Sequence, residues 1–407
     1  MFQLIKMAYR NLNRNRRRSI LSALAVSLGL ALLLIMAATI NGEIQGAMNT
    51  GIALQTGHLQ VRAASYVEEK SSLKWQDLIA NPDQVAAQIK SIPHVTLATP
   101  RLFATGIINT SSEAVGVQLL GIDPASAANA PIVQGVIAGS FITPDDQDGI
   151  AIGQTLAQRL GVKVGDPIDL SANTADGDIN EQNFIVRAIF STDTPSYDQS
   201  TVLMPLAKAQ AFTATQNHAS TIFIMLDDRD QADAVAAALT SPDYQVLTWQ
   251  KMNDLAFQTE QLANSFMVLF YLIVLGITAT VIVNTLIMAV YERTREIGIL
   301  AAIGMKGRRI MSLFLAEAGM LAVAGIAAGL ILGVALCAIF GKYGFYIGNV
   351  GVNYQSQFLL GNRIYPLLTL TDAVNLTLVA LVITLIASLY PALLAAQLEP
   401  VEALHGN

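Results

Sequence analysis

The chain has 407 residues, 53% of them hydrophobic and 13% charged, with a formal net charge of −6 and a single cysteine. A soluble domain carries roughly 25% charged residues, so a wholly water-soluble protein is excluded. Cys337 lies in an apolar run, which rules out a disulfide framework or a cysteine-built metal site within one chain; the acidic balance gives nucleic acid no support as a partner, and the placement of Lys and Arg says more than their sum.

The leader, residues 1–18, is predicted to be a cytoplasmic amphipathic basic helix. At about 100° per residue, Phe2, Ile5, Tyr9 and Leu12 share one arc, and Lys6, Arg10, Arg14 and Arg17 the next. Such a helix lies in the membrane plane, its basic side meeting anionic headgroups or a cytoplasmic partner. The first transmembrane helix follows at 19–41, since about 20 apolar residues cross about 30 Å of hydrocarbon. Its apolar core is about twice the usual length for a secretory signal, which disfavours cleavage.

Residues 42–260 read as an extracytoplasmic α+β domain. "GHLQVRA", "GVQLLGI", "FIVRAIF" and "STIFIML" have strand character, and "NPDQVAAQIKSI" and "DRDQADAVAAALTS" have helical character with polar starts. The two helices sit near opposite ends of the block, which suggests a discontinuous subdomain with an inserted β-rich lobe at about 106–200. His58, His94, His218 and His405 have no ligand-like spacing, and "DGDIN" places its glycine too early for a calcium loop. No G-x-S-x-G and no phosphate-binding P-loop occurs, so no metal, cofactor or catalytic residue is expected, and any ATP hydrolysis belongs to another chain.

Transmembrane helix 2 is predicted at 261–291, helix 3 at 310–340 and helix 4 at 372–398, with an extracytoplasmic loop at 341–371 and a cytoplasmic tail at 399–407. The apolar cores of all four spans lack Lys, Arg, Asp and Glu. Asn284 and Thr285 are placed to hold helices together by hydrogen bonds. Gly325, Gly329 and Gly333 recur every fourth residue, forming a face for close packing either within the chain or at a dimer seam. Arg and Lys crowd the leader and the segment between spans two and three, whereas the loop between spans three and four has only Lys342 and Arg363. By the positive-inside rule both termini and the hinge are cytoplasmic and the large block is outside.

That hinge, 292–309, lies in "YERTREIGILAAIGMKGRRIMSLFLAEAG". Glu292, Arg293, Arg295 and Glu296 can pair locally on a helix. Ile297, Ile299, Leu300 and Ile303 continue the apolar series, with Gly298 and Gly304 as punctuation. A short helix presenting these aliphatics to a partner's groove explains them, as does packing against the span ends. Glu317 is expected to pair with Arg308, Arg309 or the basic leader, or to act in coupling.

"ERTREIGILAAIG" with "GRRIMSLFLAEA" resembles the hinge of the FtsX-like, or MacB-type, permeases of ABC transporters. "AYRNLNRNRRRSILSALAVSLG", "GIAIGQTLAQRLGVKVGDPIDL" and "YPALLAAQLEPVEAL" extend the resemblance over nearly the whole chain, although His405 stands where members commonly carry Arg. The resemblance implies an α-helical membrane protein with four transmembrane helices plus an α+β extracytoplasmic domain inserted between helices 1 and 2. It implies a type VII permease of the bacterial cytoplasmic membrane, paired with a second permease chain as homodimer or heterodimer and driven by separate ABC ATPase subunits. Glu292, Arg293, Arg295, Glu296, Ile297, Gly298 and Gly304 would then belong to the coupling helix on the ATPase, and Glu317 would be a structural or coupling carboxylate. Among family branches the large outer domain is similar to that of lipoprotein-releasing, Lol-like permeases, so a lipoprotein or another hydrophobic substrate is expected. A membrane scaffold or receptor regulating an extracellular enzyme, such as a cell-wall hydrolase, is the alternative.

Overall fold

The computed structural model describes residues 2–14, 16–67, 73–110, 113–346 and 361–398. The expected tail at 399–407 with His405, and the side chains of Phe2, Ile5 and Lys6, lie outside the described residues. The chain forms two compact units, one of Met1–Glu43, Thr259–Phe345 and Tyr365–Asn407, the other of Ile44–Gln258 and Tyr346–Ile364.

The first unit is helical. After a leader helix, Phe2–Arg14, come helices at Arg16–Gly51, Asp254–Glu292, Gly307–Tyr343 and Leu370–Gln397, each containing a stretch long and apolar enough to cross a membrane. Leu30, Leu33 and Leu34 of the first span, Ile282 and Leu286 of the second, Ala318 and Ala322 of the third and Leu376 of the fourth share one apolar core. The glycine face of the third span packs within the chain, against the first: a Cβ on Gly325, Gly329 or Gly333 would lie 2.7 Å from Val26, Ser27 or Leu34. Backbones can approach that closely only where side chains are missing. Ser22 Oγ donates to Thr285 Oγ1 across 3.0 Å, as interhelical glue. Asn284, for which the same role was expected, instead sits on the exposed face of its helix.

The second unit is built on a ten-stranded mixed sheet. At one end Tyr244–Thr248, Leu59–Ala63, Thr221–Leu226 and the first half of Val95–Asn109 lie side by side, all antiparallel. With helices Pro82–Lys90 and Ala232–Ala238 this is a β-α-β-β-α-β arrangement, split because the chain leaves after Arg101 and returns at Ser220. Ile89 and Val235 from the two helices meet Val61, Ile222 and Ile224 of the strands in a shared core. The intervening segment extends the sheet through Ala114–Ile122, Thr201–Pro205, Gly149–Gly153, Ile179–Phe190 and Val136–Gly139. Ala114, Gly116 and Gln118 are exposed while Val115, Val117 and Leu119 are buried, the period of two that a half-covered strand requires. Ile108, Leu119, Ile150, Phe184 and Val202 close the core of this part.

Where the Arg16–Gly51 helix ends, the chain makes a π-helical turn, Ile52–Thr56, closed by Gly57 N donating to Ile52 O at 2.9 Å. Gly57 has φ of 63°, and a Cβ there would stand 2.7 Å from Ile224 O, so a side chain is excluded on both grounds.

Candidate coupling site

The residues expected to carry coupling surround the break between the second and third spans, all in the helical unit. The second-span helix stops at Glu292 because Arg293 leaves the helical region, with φ of −115° and ψ of 16°. A nine-residue hinge helix, Thr294–Ala302, follows. Gly304, with φ of 94°, ends it; Gly304 N donates to Ala301 O and Met305 N to Leu300 O, satisfying carbonyls of its last turn. The third-span helix begins at Gly307.

The seven expected coupling residues separate into two sets. Arg293, Ile297 and Gly298 are buried. Ile297 joins Val290, Ile310, Phe314 and Ala392 in a small core that seats the hinge on the span ends. Glu292, Arg295, Glu296 and Gly304 are exposed, and with them Ile299 and Ile303, at 45% and 79% exposure. The series divides: Ile297 packs inward against the span ends, and Ile299 and Ile303 face out.

Glu317 pairs with neither Arg308 nor Arg309. Its carboxylate is buried beside Arg293, whose Nη1 lies 3.1 Å from Oε1. The leader contributes a neutral group, Asn11 Nδ2, which donates to the same oxygen at 2.6 Å. Arg293 Nη2 in turn donates to the Asn11 carbonyl at 3.1 Å. One guanidinium therefore joins the second-span end, the third span and the leader, and its buried Nε has no partner among the described residues.

Two exposed ion pairs lie alongside, Arg14 with Glu296 at 2.8 Å and Arg18 with Glu292 at 2.5 Å. Two arginines four apart meet two acids four apart in reverse order, a ladder that a helical plot of each segment contains without saying that they face each other. Arg14 was read only as part of the basic arc of the leader, and Asn11 was not singled out.

The histidines of the sheet unit serve separate local purposes. His58 Nδ1 accepts from Leu226 N at 3.0 Å, and burial first, with Arg229 nearby, lowers its pKa. His94 stands 3.2 Å from Asp227, and His218 packs edge-on against Trp75. Among the described residues no His, Cys, Asp and Glu side chains group as metal ligands.

The family model for the MacB-like periplasmic core domain matches residues 19–241, more than half of the chain, and that for the FtsX-like permease C-terminal region matches 268–400. Over 95% of its length the chain is 26% identical to the lipoprotein-releasing system transmembrane protein LolE of Haemophilus influenzae, covering 94% of that protein. It is 24% identical to the lipoprotein-releasing system transmembrane protein LolC of Neisseria meningitidis serogroup B, with 95% and 93% of the two chains covered. Against the macrolide export ATP-binding/permease protein MacB of a Shewanella species identity is 22%, over 98% of this chain and 60% of that one.

Proposed function

The chain belongs to the family of MacB-type, FtsX-like ABC transporter permeases, and we propose that within such a transporter it transmits motion from separate ATPase subunits to its MacB-like domain. The hinge helix is the part that docks on the ATPase, the termini and hinge are cytoplasmic, and the membrane is the bacterial inner membrane. A second permease chain completes the assembly. The observation that carries this reading is the division of the hinge helix: Ile297 fixes it to the span ends while Ile299 and Ile303, flanked by Arg295, are left outward. A solvated turn has no use for two exposed isoleucines, whereas a protein groove does.

Lipoprotein release is the substrate class this reading favours, because the Lol relatives align with this chain nearly end to end. The spans carry no charged residue in their apolar cores, which suits a lever better than an ion or solute path.

The test is to tag the chain, extract it from its native membrane and assay what it retains for ATP hydrolysis, alongside Ile303→Asp. A retained nucleotide-binding subunit that the variant loses supports the reading, and a trapped lipoprotein supports the substrate class. Retention of an extracellular enzyme with no ATPase would overturn it in favour of a scaffold.

A further inference from the structure

Beyond docking, and resting on the coupling reading above, we propose that Arg293, Glu317 and Asn11 are positioning residues: a buried clasp that fixes the angle of the hinge helix so that a push on it moves the third span and the leader together. The hinge helix needs such a restraint. It has only nine residues, and at both ends the backbone leaves the helical region, at Arg293 and at Gly304. A short rod between two non-helical joints pivots unless side chains hold it.

The candidates for that restraint are few. The exposed pairs Arg14–Glu296 and Arg18–Glu292 are solvent-screened and hold weakly. Ile297 seats the helix but is non-directional. The clasp is directional and dry: the side chains of Arg293 and Glu317 are 5% and 4% exposed. Its contacts are also divided among elements. Arg293 reaches Glu317 with Nη1 and the Asn11 carbonyl with Nη2, while Asn11 returns its amide to Glu317. Each of the three residues thus touches both of the others, and no two elements can shift without breaking a bond to the third.

Stability does not explain this choice, since well-packed apolar residues are usually at least as good as a buried ion pair, and the best-attested use of such a pair is to specify one arrangement. Lysine could not replace Arg293, because a point charge cannot serve two acceptors in fixed directions as the planar fork does.

The experiment uses the full chain in liposomes with Cys337→Ala, spin labels on cysteines at Ala302, the exposed last residue of the hinge helix, and Val323, and electron spin measurement of the distance between them, without and with the ATPase subunits and ATP. With the clasp intact the distribution is narrow and shifts on ATP binding. Glu317→Gln, which keeps shape and removes charge, broadens it and cuts the ATP-dependent shift about tenfold, with the ATPase subunit still retained. Arg293→Lys does the same while keeping its charge, so it decides the matter if Glu317→Gln does not assemble. Unchanged width and shift in Glu317→Gln and Arg293→Lys would overturn the clasp. Failure of the unaltered chain to bind any ATPase would instead overturn the coupling reading, and the widths without ATP would still decide whether the clasp holds the helix.

Discussion

Arg101 in the sheet unit and Arg293 in the helical unit are both buried, at 1% and 5% exposure, yet they are accommodated in opposite ways. Among the described residues Arg101 has no salt-bridge carboxylate: Nη1 donates to the Leu54 carbonyl of the π-helical turn at 2.8 Å, and its guanidinium lies 3.7 Å over the Phe223 ring. Burial pulls its pKa down to about 10 and pushes neighbouring Tyr197 up to about 12. Arg293 faces an acid, Glu317. The first joins a backbone turn to a strand inside a packed domain, where induced and fixed dipoles suffice. The second joins separate helices at a joint, where a formal charge gives direction.

The difference has measurable consequences. Glu317→Leu strands the Arg293 cation, and we expect a loss of about 3–5 kcal/mol, read as a lowered thermal midpoint in detergent. Adding Arg293→Met should recover most of it; no recovery would mean that Glu317 stabilises through something other than the pair. Arg101→Met removes a cation that has no carboxylate partner among the described residues, leaving chiefly the Leu54 carbonyl without its donor, so a smaller loss of about 1–3 kcal/mol is expected in the same assay.

Asp198, beside Tyr197, adds a pH dependence to the sheet unit alone. Burial, outweighing hydrogen bonds from Thr192 and Ser191, raises its pKa to about 6. The folded chain therefore holds this proton more tightly than the unfolded chain, whose value is about 4. Stability from this group is full below about pH 4, falls as pH rises to about 6 and is flat above, a change of at most about 3 kcal/mol. Asp198→Asn should remove that slope from the denaturation midpoint between those limits, and an unaltered slope would assign it elsewhere. The smallest effect is expected for Arg14→Ala, below about 1 kcal/mol in the thermal midpoint, because both partners of its ion pair with Glu296 are more than half exposed.

Legibility in the sequence followed the range of the physics. The four apolar helices were readable because charge is excluded locally from a span. "STIFIML" and "GVQLLGI" were readable because strand character is carried by adjacent residues, and both lie in strands of the sheet. Arg101, in "ATPRLFATG", gave no sign of burial, since Phe223 and Leu54 reach it through the fold. Arg293 was grouped with the outward hinge charges because "ERTREIG" reads as one helix; the break at Arg293 itself turns that side chain inward. The Arg14–Glu296 pair spans 282 residues, a separation at which charge spacing in one segment says nothing about which other segment it meets.

The placement of the acids also determines how this end of the molecule acts at a distance. Glu292 and Glu296 face arginines and Glu317 is enclosed, whereas Arg16, Arg17, Arg295, Lys306, Arg308 and Arg309 are exposed. With the described carboxylates of this end engaged internally, the described side chains contribute a positive field that reaches about a Debye length, about 8 Å at physiological salt and about 30 Å at 0.01 M. An acidic surface approaching this rim is steered before contact, and its rate of arrival falls as ionic strength rises, while the enclosed clasp beneath is screened far less.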